Sequence, residues 1–189
     1  MSILTDTIRK QFKEGDDIRD EDLTTPDTVQ RFDNILYGDD PEWNTMDLYI
    51  PKEEKEKLPI ISFHGGGWVY GDKERYQYYC MSLAERGFAV INFTYRLAPE
   101  FKHPAPLEDM NQVAHWIMNH AKDYFLDTEH IYGVGDSAGA HLLVLYTSIL
   151  TNKEYASTYD FKVPEVFQFN ALALNCGAYN IKPESELTR

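Results

Sequence analysis

Apolar positions along this chain follow two patterns, and the point where one gives way to the other marks its organisation. Asp33-Asn34-Ile35-Leu36-Tyr37 and Thr45-Met46-Asp47-Leu48-Tyr49-Ile50 alternate as half-buried strands do, with Gly38, Asp39, Asp40 and Pro41 as turn residues between them. This predicts an antiparallel edge hairpin. A charged loop, Pro51 to Lys57, follows. Beyond it the apolar residues come in short unbroken runs: Leu58 to Phe63, Phe88 to Phe93, His130 to Val134 and Ala171 to Leu174. Such runs suit strands covered on both faces, as in a parallel sheet.

Three helical patterns separate the runs. One covers Lys73 to Arg86 and stops at Gly87, a residue that suits a helix C-terminus. A second starts after Pro106, with Met110, Val113, Ala114, Ile117 and Ala121 at helical spacing. The third follows Ser137, from Ala140 to Leu150, and is almost wholly apolar, which predicts burial. Strands alternating with helices predict an α/β fold, a mostly parallel sheet flanked by helices with the antiparallel hairpin at its N-terminal edge. Residues 1–30 lack a strong apolar stripe and crowd Glu14, Asp16, Asp17, Asp20, Glu21 and Asp22 together. They read as a polar N-terminal arm or a partial cap, with the core in residues 31–189.

Composition narrows the function. A chain of 189 residues suits one domain. The formal net charge of −13 repels phosphate backbones, so no nucleic-acid partner is expected. No apolar run is long enough to span a membrane, and Met1 to Lys10 has no apolar core of signal-peptide length. The expectation is a cytoplasmic protein without a membrane partner. Cys80 and Cys176 lie far apart with no CxxC pair, which fits two reduced, packed thiols better than a disulfide.

Candidate chemistry centres on Gly135-Asp136-Ser137-Ala138-Gly139. A strand runs into this Gly-x-Ser-x-Gly and a helix follows it, the layout of a nucleophile elbow. The flanking Gly135 and Gly139 permit a turn too sharp for side chains. Upstream, at the end of another strand, stands His64-Gly65-Gly66-Gly67, where an oxyanion loop of such a fold belongs. An ester carbonyl attacked by Ser137 would place negative charge on its oxygen. The amides of Gly65, Gly66 and Ala138 are the expected donors to it. Losing one such donor lowers the rate roughly 100- to 1,000-fold.

The base is not legible. His141, the one histidine after Ser137, stands a helical turn beyond it and is expected to point into packing. His64 is expected to hold the glycine loop by hydrogen bonding. His103 can border a pocket but precedes the serine, and His115, His120 and His130 read as helix-surface or strand-entry residues. Asp160, Glu154 and Glu165 follow the serine in loop-like settings, and none is assigned as the catalytic acid. No histidine cluster has metal-ligand spacing, and the triglycine lacks the GxxxxGK[ST] surroundings of a phosphate loop. Neither cofactor nor metal is expected.

Tyr95-Arg96-Leu97-Ala98-Pro99-Glu100 stands between the two glycine motifs. With His64-Gly65-Gly66-Gly67-Trp68 and the serine motif, in that order and spacing, the chain resembles the hormone-sensitive-lipase-like carboxylesterases of the α/β-hydrolase superfamily, bacterial acetyl esterases included. The resemblance covers roughly residues 33 to 180. It implies a small-ester substrate, an acyl-enzyme on Ser137 and an oxyanion hole from Gly65, Gly66 and Ala138. It implies that Asp136 supports the elbow, that residues 95–100 form a structural loop and that the N-terminal segment contributes to a cap. Family members run well beyond this length and draw their catalytic acid and histidine from loops after two further strands. The resemblance therefore implies truncation after about the sixth strand, with C-terminal strands missing. The uncovered strand edge would favour association between chains, for example as a homo-oligomer. Leu187-Thr188-Arg189 is compatible with clipping after a basic residue. Three readings stay open: a carboxylesterase, a non-catalytic ligand-binding protein that keeps the pocket, and an inactive truncated hydrolase fragment.

Overall fold

A computed structural model describes residues 3–52 and 57–181. Part of the charged loop at 51–57 and the terminal Leu187-Thr188-Arg189 lie outside the described residues. The order of elements is α1 (Ile3–Asp20), β1 (Val29–Leu36), β2 (Thr45–Pro51), β3 (Leu58–Phe63), α2 (Lys73–Ala84), β4 (Phe88–Phe93), α3 (Ala105–His120), a short 3-10 turn (Ala121–Tyr124), β5 (Tyr132–Asp136), α4 (Ala138–Thr151), α5 (Lys153–Ala156) and β6 (Ala171–Asn175). The six strands form one sheet in the order β1-β2-β4-β3-β5-β6. β1 pairs with β2 and β2 with β4 antiparallel, while β4, β3, β5 and β6 run parallel. The expected α/β architecture with its antiparallel edge hairpin is the observed one.

Alternation along each strand separates two apolar layers. Ile61, Phe63, Ile91 and Phe93 face α3 and α4, where Leu107, Met110, Val113, Leu143 and Tyr146 meet them in the larger core. Ile60, Val90 and Val134 face α2 through Cys80, Met81 and Ala84. α2 starts behind Asp72, whose side chain accepts from the Arg75 amide at 3.0 Å, and it stops before Gly87 with its φ of 100°. A buried ion pair pins the start of α2 to the sheet: Lys73 Nζ lies 2.8 Å from Asp47 Oδ1, with side chains only 4% and 2% exposed.

Three expectations change. β6 was expected to be covered on both faces, yet most of its residues are exposed, because it is the last strand of the sheet and only β5 pairs with it among the described residues. Cys176, just past β6, is an exposed free thiol, unlike the packed Cys80. The acidic N-terminal segment forms an 18-residue helix, α1. Lys13–Asp17 and Arg19–Asp16 pairs brace it along one side, and none of its described side chains joins either apolar core. It docks mainly through polar contacts, with the Phe12 ring edge-on to Tyr70. Arg9 reaches Glu100 at 2.7 Å and the Val69 carbonyl at 2.7 Å, and Arg75 pairs with Asp17 at 2.6 Å. No helix among the described residues is long and apolar enough to cross a membrane.

Candidate active site

Ser137 sits on the junction of β5 and α4 with φ 50° and ψ −111°, a conformation that costs a non-glycine residue about 1–3 kcal/mol. Two features hold it there. The Ser137 amide donates to the Asn175 carbonyl at 2.8 Å, tying the elbow to β6. Gly139 lets the first turn of α4 press onto the end of β3, where an added Cβ would come within 2.1 Å of the Phe63 carbonyl oxygen. The residue after the serine, Ala138, is buried at the first position of α4, so its amide points out of the helix N-terminus. Ser137 itself is half-buried.

The glycine loop lies beside it. Gly66 has φ 121°, and an added Cβ would come within 1.9 Å of the Tyr70 carbonyl oxygen, so only glycine closes this turn. The Gly66 carbonyl accepts from the Val69 and Tyr70 amides at 3.2 and 3.0 Å. His64 anchors the loop from below. It is fully buried, its Nδ1 donates to the Gly65 carbonyl at 2.8 Å, and its ring stacks on Tyr95 at 3.9 Å between centroids. Burial lowers its pKa to about 4, so the ring is neutral.

A tyrosine bridges the two motifs. Tyr76 of α2 donates from its hydroxyl to Asp136 Oδ2 at 2.7 Å, and the same oxygen lies against Gly65. Burial first, and then the Asp136 carboxylate, push this phenol up from its usual pKa, so it keeps its proton. No main-chain acceptor engages the Gly65, Gly66 or Ala138 amide among the described residues. Ser137, Gly65, Gly66 and Gly67 line one cavity of about 520 Å³, and α1 forms its opposite wall.

None of the six histidines is hydrogen-bonded to Ser137 among the described residues. His141 stands one turn along α4, edge-on to Trp68 at 5.5 Å, with Nδ1 unpartnered among the described residues. Burial lowers its pKa, and His103 adds to the effect. His103 meets the Tyr159 hydroxyl, His115 the Lys162 carbonyl, His120 Asp123, and His130 Asp127. Glu154, Asp160 and Glu165 are exposed. No cluster of three or more metal-ligating side chains exists among the described residues.

The elbow and glycine loop stand on a sheet shared with known esterases, and a family model for BD-FAE matches residues 46–186. The chain belongs to the BD-FAE family. Among solved structures, esterase B from Lactobacillus Rhamnosis superposes with a TM-score of 0.85 at 30% identity, covering 92% of this chain and 56% of that one. A bacterial heroin esterase superposes with a TM-score of 0.67 at 28% identity, covering 78% of this chain and 47% of that one. Among curated relatives, ethyl acetate hydrolase of Pseudomonas putida is 29% identical over 157 residues, 80% of this chain and 49% of that protein. A probable isoprenylcysteine alpha-carbonyl methylesterase of Oryza sativa subsp. japonica is 37% identical over 110 residues, 58% of this chain and 26% of that protein. The chain therefore spans about half the length of its structural neighbours and less of some curated relatives.

Sequence reasoning missed Tyr76. Tyr76 lies in a helix among Tyr78 and Tyr79 with no motif around it, so only its contact across 60 residues marks it.

Proposed function

We propose that this chain carries the nucleophile and oxyanion face of a serine carboxylesterase that cleaves small carboxylic esters. The supporting observation is the Ser137 hydroxyl, held at a strained elbow and opening into a cavity that the glycine loop also lines. In this reading Ser137 Oγ attacks the ester carbonyl, its proton passes to a base, and the Gly65, Gly66 and Ala138 amides receive the charge on the carbonyl oxygen. Collapse expels the alcohol and leaves an acyl-enzyme. Water then attacks it, regenerating Ser137 and releasing the acid. Tyr76, bonded to Asp136 and lying against Gly65, braces the loop beside the elbow, and α1 serves as a partial cap.

The test is hydrolysis of p-nitrophenyl acetate by the protein, with intact-mass detection of fluorophosphonate at Ser137. Ser137→Ala is expected to remove both. Hydrolysis that survives in Ser137→Ala takes the serine out of the mechanism. One observation favours a second reading: no histidine contacts Ser137 among the described residues, which suits a binding protein that keeps the pocket. Saturable ester binding with neither turnover nor labelling would select that reading.

A further inference from the structure

We infer that Gly15 sets the size of the ester group that reaches Ser137, by leaving open the space between α1 and the glycine loop. The inference rests on the ester hydrolysis proposed above. α1 turns one face to the cavity: Phe12, Gly15, Asp16 and Arg19 line it at the spacing of a helix face, opposite Gly66 and Ser137. Phe12 closes one side edge-on against Tyr70, with ring centroids 5.6 Å apart. Tyr70 in turn donates to Asp16 at 2.8 Å, which fixes this side of the wall.

Gly15 stands in the middle of that row and inside a helix, where glycine is unfavourable by about 1 kcal/mol relative to alanine. The usual structural reasons for a glycine do not apply to it. Its backbone is helical, and a Cβ built there meets no heavy atom within 4 Å. Gly66 and Gly139 differ sharply, since a Cβ at either would strike a carbonyl oxygen. What Gly15 contributes is empty space at a cavity wall. The rim charges are already paired, Arg19 with Asp16 and Asp20, and Arg75 with Asp17. The group that fits is therefore uncharged and apolar, an acyl or alkyl chain lying along Phe12 and Tyr70.

The experiment compares Gly15→Trp with Ile18→Trp, which places the same side chain at a position that is 75% exposed. Rates are measured on p-nitrophenyl acetate against octanoate, and on ethyl against octyl acetate, so the two series separate acyl from alcohol. Tryptophan favours helix over glycine, so α1 is expected to persist. Gly15→Trp is expected to lower kcat/KM for the long member of one series by roughly tenfold or more relative to its short member, a size discrimination of the kind a filled pocket produces. Ile18→Trp is expected to leave that ratio unchanged. An unchanged ratio in Gly15→Trp, with Ser137→Ala still inactive, overturns the role of Gly15 alone. An equal shift in Ile18→Trp also overturns it. Hydrolysis that persists in Ser137→Ala, or no hydrolysis and no labelling at all, overturns the reading beneath it.

Discussion

Removing one oxygen from Tyr76 tests how the glycine loop is held against the elbow. Tyr76→Phe keeps the ring of a residue on α2 and deletes the hydroxyl that donates to Asp136 Oδ2 at 2.7 Å and lies against Gly65. A hydrogen bond to a charged group contributes about 1.5–3 kcal/mol. At about 2–4 °C per kcal/mol for a domain of this size, the variant is expected to melt about 3–12 °C lower. The catalytic effect is separate. In the proposed mechanism the glycine-loop and Ala138 amides come from different motifs and must reach the same oxygen, and the Tyr76 hydroxyl spans those motifs from Asp136 to Gly65. Full loss of one donor lowers kcat about 100- to 1,000-fold, so misalignment is expected to lower it by roughly 10- to 100-fold with KM little changed. Steady-state hydrolysis of p-nitrophenyl acetate measures this, beside thermal unfolding. The rate of fluorophosphonate labelling at Ser137 reports the same geometry without turnover, because phosphonylation builds charge on an oxygen in the same place. Asp136→Asn keeps an acceptor for Tyr76 and is expected to fall less. A Tyr76→Phe protein that melts lower but keeps kcat and the labelling rate would refute the argument, reducing the hydroxyl to a packing contact.

Two further predictions concern what lies beneath the site. Lys73→Met removes the cation beside the buried Asp47 carboxylate, leaving it only the Asn34 amide and the Tyr49 hydroxyl, and is expected to lose about 3–5 kcal/mol in urea unfolding, while Asp47→Asn/Lys73→Met recovers much of it. A double variant no more stable than Lys73→Met would show that the loss comes from packing. His64 binds a proton below a pKa of about 4 when folded and below the ordinary 6.5 when unfolded. The stability its neutral ring contributes is thus full above pH 6.5 and is lost as the pH falls toward 4, by ~3 kcal/mol. His64→Asn, which retains a donor for the Gly65 carbonyl, is expected to flatten that slope, and an unchanged slope would assign it to other groups.

Much of this molecule was legible before any coordinates. Leu58 to Phe63 and Phe88 to Phe93 stand out because each strand is covered on both faces, and both are strands to the residue. The serine and triglycine motifs stand out because the backbone there tolerates few residue types: Gly66 and Gly139 have no room for a side chain. Tertiary relations were not legible. The apolar run at Ala171 says nothing about what covers it, and β6 lies at the sheet margin. α1 carries no apolar stripe because its attachment is made by Arg9, Asp16 and Asp17 with residues more than 50 positions away. Tyr76 is one of several tyrosines in a helix until its hydroxyl is seen between Gly65 and Asp136.

The way α1 is fastened has a thermodynamic signature of its own. Apart from the Phe12 ring against Tyr70, lifting it off the core would bare little hydrocarbon, since the rest of its grip is made of guanidinium, carboxylate and carbonyl groups. Such a release changes heat capacity and denaturant sensitivity very little, because both track newly wetted area. Calorimetry and urea titration would therefore pass over it. Added electrolyte would not, because exposed ion pairs weaken as the screening length shrinks from about 10 Å at 0.1 M to about 3 Å at 1 M. The wall facing Ser137 thus answers to ionic strength while the sheet behind it stays indifferent.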